Sequence, residues 1–183
     1  MDKNLIKKSK FLALILRHNP DAGGVKLDSA GWTSVGGLIK NAGFTHQELK
    51  EIVENDDKQR YDFADYDKKI RANQGHSIAS VKIEFDEVVP PKHLYHGTVR
   101  KYVNSIMKSG LQKQGRNYLH LSDSIHTATG VGSRRGKPVI LSIDSRTMYD
   151  DGYKFYISEN GVYLVDFVPA KYVYIYNEYG EES

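Results

Sequence analysis

The sequence contains no cysteine, which excludes disulfides and thiolate-held zinc and suits a reducing compartment. No apolar run approaches the roughly 20 residues that a membrane span needs, so no membrane partner is expected. The basic-then-apolar opening, MDKNLIKKSKFLALILRHNP, lacks a small-residue cleavage site, and its charges resume quickly. It reads as the amphipathic first helix of a cytoplasmic protein. Low-complexity tracts are also missing, and 39% hydrophobic with 27% charged residues describe a globular chain rather than a disordered one. Metal-ligand spacing is absent: His93 and His96 lie three apart with no carboxylate beside them, so no metal is expected. The candidate motifs are almost free of acids, which leaves a glycosidase-like carboxylate pair unsupported.

Charge is present, but unevenly. The net +3 is too small to announce nucleic-acid binding by itself. Residues 88–143, however, hold nine Lys/Arg against the single acid Asp123, whereas residues 144–183 hold three against eight. Such a basic stretch suits a polyanion or phosphates, and a solvated lysine-rich face would look the same.

Along the chain, residues 4–18 read as a helix stopped by Asn19-Pro20. A second helix fits 34–42, ending at Gly43, and a third starts from a Thr45/Glu48 capping box with Phe44 stapled onto Leu49. Extended runs at Arg60–Ala64 and Lys69–Ala72 then form a hairpin. Helices followed by a hairpin are the order of a winged helix-turn-helix. Residues 77–91 look like a junction. Beyond it, Thr98–Ser109 reads as a helix stopped by Gly110. Strands are expected at Tyr118–Leu121, Val139–Asp144, Lys154–Ser158, Val162–Phe167 and Tyr172–Tyr176, with a hairpin at Asn160-Gly161. The predicted class is α+β, with a lobe over 1–80 and a β-rich lobe over 81–183. Nothing demands more than a monomer.

Five segments could carry chemistry, and each has an ordinary alternative. Arg17-His18 ends the first helix, where the dipole favours cations anyway. Arg71-Ala72-Asn73-Gln74-Gly75-His76-Ser77 can set a guanidinium and an imidazole around one anion, or be a plain turn. Leu94-Tyr95-His96-Gly97-Thr98 is expected to end a strand and open a helix, with Gly97 admitting a ligand and Thr98 capping. His120 alternates out of a strand with Tyr118 and Ser122, as a packed histidine also would. Gly130 to Gly136 brackets Arg134-Arg135 with flexible residues, which suits phosphate.

Taken together, LRHNP (16–20), GW (31–32), IRANQGHS (70–77), LYHGT (94–98), LHLS (119–122), VGSRRGKPVIL (131–141) and VYLVDFVP (162–169) resemble the KptA-type RNA 2′-phosphotransferase family. The resemblance implies a winged-helix N-lobe joined to an ADP-ribosyltransferase-like lobe that binds NAD⁺. It implies a catalytic set of Arg17, His18, Arg71 and Arg134, with Arg134 chosen over Arg135 by the family's Gly-x-Arg pattern. A dinucleotide site would fall on His96, Gly97, Thr98, His120, Leu121 and Ser122. The implied partner is an RNA bearing a 2′-phosphate. That phosphate would attack the anomeric carbon of the nicotinamide ribose and expel nicotinamide, giving an RNA-2′-phospho-ADP-ribose. Attack by the ribose 2″-hydroxyl would then release 2′-hydroxyl RNA and ADP-ribose 1″,2″-cyclic phosphate. Since the arginines come from both ends of the chain, the site is expected where the lobes meet. The final EYGEES is covered by no motif and is expected to fray.

Two other activities compete. A one-step ADP-ribosyltransferase would need the NAD⁺ lobe but not the arginine cluster. A non-catalytic winged-helix nucleic-acid binder would leave LYHGT and LHLS unexplained.

Overall fold

Helix α1 (Lys3–Arg17) starts at Asp2, whose carboxylate accepts the Leu5 N–H at 2.7 Å, and buries Leu5, Leu12, Ile15 and Leu16 on one side. Each such side chain taken from water stabilises the fold by about 1.5–3 kcal/mol. The computed structural model describes residues 2–176, so the tail expected to fray at 178–183 lies outside the described residues. The chain is α+β and divides into two units, residues 2–84 with 115–117, and residues 85–114 with 118–176.

The first unit follows the predicted order. The Asn19 side chain accepts the Ala22 N–H and begins a 3₁₀ turn at Pro20, which ends α1. Strand β1 (Thr33–Ser34) leads into α2 (Val35–Ala42), capped by Ser34 and stopped by Gly43 at φ +69°. Helix α3 (His46–Glu54) carries both bonds of the Thr45/Glu48 capping box. Phe44 enters the core with Leu49 and stacks on Phe11, ring centroids 6.0 Å apart. Strands β2 (Tyr61–Ala64) and β3 (Lys69–Ala72) form the hairpin, and β3 is central in an antiparallel sheet ordered β1-β3-β2. Leu12, Ile15, Leu16, Leu38, Leu49 and Ile52 fill its core.

The second unit opens with β4 (Asp86–Glu87), β5 (His93–Val99), α4 (Arg100–Ser109), β6 (Leu111–Gln112), β7 (Leu119–Leu121) and α5 (Ile125–Gly132). It continues through β8 (Pro138–Asp144), α6 (Ser145–Asp150), β9 (Tyr156–Ile157), β10 (Tyr163–Val165), β11 (Phe167–Val168) and β12 (Val173–Ile175). These give antiparallel sheets ordered β12-β8-β5, β4-β9-β10-β7 and β11-β6. A Tyr95–Ser122 bridge joins β5 to β7, so the LYHGT and LHLS segments lie side by side. The Asn160-Gly161 turn forms as expected, with Gly161 at φ +75° and the Ser158 N–H donating to the Val162 carbonyl.

Three expectations are corrected. Thr98 does not cap a helix: it is buried in β5, which runs on to Val99, and α4 starts at Arg100 without a side-chain cap. Gly130 and Gly132 are not flexible brackets, because both belong to α5 and Arg134 and Arg135 follow in a 3₁₀ turn. The run Val162–Phe167 is two strands, β10 and β11, pairing with different partners. No helix among the described residues is long and apolar enough to cross a membrane.

Candidate active site

Two groups of candidate residues form, one in each unit. In the first, the stop at Asn19-Pro20 leaves Arg17 and His18 at the end of α1. The Arg17 guanidinium lies 5.9 Å from the Tyr61 ring centroid. Although the residue keeps some surface in water, its Nε and Nη2 are sealed off and have no hydrogen-bond partner among the described residues. Burial lowers its pKa to about 10; Arg60 and Arg116 push the same way, while Tyr61 and Asp56 offset part of the fall. The group is still charged at neutral pH, and its charge is expensively held.

Arg71 comes from β3, opposite Asp62 on β2, with 3.8 Å between Nη2 and Oδ2. Its guanidinium also lies over the Trp32 ring, 4.6 Å from the centroid. Trp32 is held there by an Asp28 turn: one carboxylate oxygen accepts the N–H groups of Ala30 and Trp32, and the Trp32 carbonyl accepts the Asp28 N–H. Stacking on an indole face fixes the plane of a guanidinium and directs its N–H groups outward in that plane.

After Arg71 the chain runs through buried Asn73, Gln74 and His76 and turns at Gly75, φ +89°. Ser77 returns to α1, its N–H donating to the Arg17 carbonyl at 2.9 Å and its Oγ sharing a 2.9 Å hydrogen bond with His18 Nδ1. His18 has a pKa lowered by partial burial, then by Arg116 and Arg17, all of which disfavour the charged imidazolium. His76 is only 3% exposed and hydrogen-bonds the Leu16 backbone. Burial, with Arg17, His18 and Arg71 adding, lowers its pKa to about 4. His76 is therefore a neutral, structural imidazole beside the cations, and His18 is the imidazole left at the surface.

Arg116 was not singled out in the sequence. Residues 115–117 pack with the first unit, held by Asn117, whose N–H donates to the His76 carbonyl at 2.9 Å and whose Nδ2 donates to the Val81 carbonyl at 3.0 Å. Its charge acts on both Arg17 and His18. The available signal was a loop arginine without a nearby acid, just ahead of LHLS.

In the second unit, His96 and His120 are half-buried on adjoining strands, and His96 Nδ1 lies 3.3 Å from the His120 carbonyl. Ser122 is half-buried, exchanges backbone hydrogen bonds with Tyr95, and accepts the Ser124 N–H on its Oγ. Leu121 points into the core, so it and buried Thr98 can offer a ligand little beyond backbone. Gly97 has a different reason for being glycine than ligand approach. A Cβ there would lie 1.8 Å from the Ala128 carbonyl oxygen, because α5 packs directly on β5. Arg134 and Arg135, at the end of α5, are both exposed. Arg17, His18 and Arg71 are thus gathered in the first unit, and Arg134 is carried by the second. No group of three or more His, Asp or Glu placed to hold a metal occurs among the described residues.

A chain with this cation cluster can be set beside known proteins. The family model described as RNA 2′-phosphotransferase, Tpt1 / KptA family matches residues 3–167. A "Probable RNA 2'-phosphotransferase" of Rhodopirellula baltica is 48% identical over 177 residues, covering 94% of this chain and 96% of the relative. Proteins of the same name from Nostoc punctiforme and Flavobacterium johnsoniae are each 49% identical, covering 94% of this chain and 97% and 98% of theirs. Agreement at that level over nearly the whole length leaves no room for a borrowed fragment, and the chain belongs to the RNA 2′-phosphotransferase, Tpt1 / KptA family.

Proposed function

We propose that the chain removes a 2′-phosphate from RNA, with NAD⁺ consumed as the acceptor of that phosphate. The first unit is then a winged-helix lobe that holds the phosphate, and the second an ADP-ribosyltransferase-like lobe that holds NAD⁺. The observation that carries the proposal is Arg17, whose Nε and Nη2 are sealed from water and lack a hydrogen-bond partner among the described residues. Arg60 and Arg116 act on its charge, His18 feels both Arg17 and Arg116, and Arg71 shares the surroundings of His76 with Arg17 and His18. Like charges held together in a poorly solvated place destabilise the protein, unless an anion supplies the missing acceptors.

A 2′-phosphate monoester is a dianion near neutral pH and fits that demand, with arginines binding it bidentately whatever the pH. The stacked Arg71 and half-buried Arg17 are pre-oriented, so little side-chain freedom is lost on binding. As charge develops on the phosphoryl oxygens, the same guanidinium groups stabilise it. The bound dianion also raises the His18 pKa by simple Coulomb attraction, preparing an imidazolium that can donate to the departing RNA 2′-oxygen. Arg134 completes the proposed catalytic set. The proposed NAD⁺ site at His96, Gly97, Thr98, His120, Leu121 and Ser122 fits a pyrophosphate-bearing ligand, since it offers imidazoles, a hydroxyl and backbone but no carboxylate.

Incubating a 2′-phosphorylated oligonucleotide with NAD⁺ and identifying the products tests the proposal. Expected are 2′-hydroxyl RNA, nicotinamide and ADP-ribose 1″,2″-cyclic phosphate. An ADP-ribosylated end product would establish the one-step transferase instead. A chain whose melting temperature NAD⁺ leaves unchanged, and which forms no product, would be the non-catalytic binder.

A further inference from the structure

The proposed function uses His18 but leaves open what aims its ring. Resting on that reading, we infer that Ser77 is the positioning residue for His18, fixing the imidazole so that Nε2, carrying a proton, faces the RNA phosphate. Three bonds set the geometry. The Ser77 N–H donates to the Arg17 carbonyl at 2.9 Å, the Ser77 Oγ meets His18 Nδ1 at 2.9 Å, and the neighbouring His76 carbonyl is held by the Asn117 N–H at 2.9 Å. The Ser77 backbone is thereby tied to the end of α1. Although the Oγ–Nδ1 bond is open to water, its hydroxyl stays where the ring needs it.

Proton bookkeeping then selects the tautomer. A neutral imidazole has one N–H donor and one acceptor nitrogen. Phosphate dianion oxygens only accept, so a ring that meets them through Nε2 must carry its proton there. Nδ1 is then the acceptor, and the Ser77 Oγ–H is the group placed to donate to it. If the ring gains a second proton, the bond reverses: Nδ1–H donates to Oγ, and Nε2–H remains aimed at the phosphate. A serine hydroxyl serves both charge states because it can donate or accept. A residue limited to one of those roles would favour one charge state of the ring over the other.

The test pairs kinetics with ¹⁵N NMR of the histidine rings in the full chain. In the wild type at pH 8, with inorganic phosphate or a 2′-phosphorylated dinucleotide as probe and no NAD⁺, His18 is expected as the Nε2–H tautomer. In Ser77→Ala the ring is expected to become a mixture of tautomers. Losing one solvent-open hydrogen bond to the ring should lower kcat by about two- to tenfold and leave the KM for NAD⁺ unchanged. Ser77→Thr, which keeps the hydroxyl, should restore the tautomer and most of kcat. Thermal melting checks that each variant folds; if Ser77→Ala does not, Ser77→Cys, a weak donor of similar size, takes its place. A tautomer unchanged in the variant lacking the hydroxyl overturns the inference, whatever its activity. A wild type with no 2′-phosphotransferase activity overturns the functional reading instead, and the phosphate-probe spectra still decide whether Ser77 aims the ring.

Discussion

His76 makes the stability of the first unit depend on pH in a calculable way. Its pKa falls from 6.5 to about 4 on folding, chiefly through burial and then through Arg17, His18 and Arg71. Because the folded value is depressed, the unfolded chain takes up the proton first as pH falls. The contribution is complete above pH 6.5 and is lost progressively down to pH 4. Two and a half pKa units correspond to about 3 kcal/mol, a large share of a typical domain's 5–15 kcal/mol. Guanidinium titrations at pH 7.5, 6.0 and 4.5 should therefore show wild-type stability falling steeply over this range. His76→Asn, which keeps a donor for the Leu16 backbone but cannot titrate, should be less stable at pH 7.5 and show a visibly flatter slope. Parallel slopes in the two proteins, or a His76 ring that titrates near 6.5 in the folded state, would refute the account.

Gly97→Ala puts a methyl group 1.8 Å from the Ala128 carbonyl oxygen, backbone against backbone. A loss of about 3 kcal/mol or more in NAD⁺-free denaturation is expected, and a loss below 1 kcal/mol would dismiss the packing explanation. Arg116→Ala removes a cation that depresses His18, so the His18 pKa measured by NMR should rise; no rise would mean the two do not face each other. Arg134→Ala is expected to abolish turnover by two orders of magnitude or so, as removing one charge-stabilising donor does, while Arg135→Ala keeps most of it. The opposite ranking would exchange their roles.

The N-terminal elements were legible in the sequence because each carries its own local chemistry. Asn19-Pro20 stops α1, Thr45 and Glu48 build a capping box, and Gly43 supplies a positive φ, all within a few residues. Arg17, His18 and Arg71 were found from motifs, and the structure gathers them in one unit. What stayed hidden depends on tertiary contact. Helix α5, IHTATGVG, is rich in β-branched residues and glycine and has little propensity of its own. It forms against β5, which is why Gly97 and Gly132 looked like loop glycines. Thr98 has the residue type of a cap, but strand pairing with Val139 claims it first. The role of Trp32 needed the Asp28 turn to bring it over Arg71, and Arg116 lies too far along the chain from Arg17 for any local pattern to connect them.

That distance has a consequence for biosynthesis. The first 84 residues leave the ribosome with a hydrophobic core of their own, so that unit can collapse early. The carbonyls of His76 and Val81 must nevertheless wait for Asn117, and the cation cluster for Arg116, until residues 115–117 have been synthesised. A nascent chain stalled before that point would carry Arg17, His18 and Arg71 without their latch. Completion of the cation cluster is thereby tied to synthesis of residues well beyond the first 84, and a fragment ending at residue 84 would lack both Arg116 and the hydrogen bonds of Asn117.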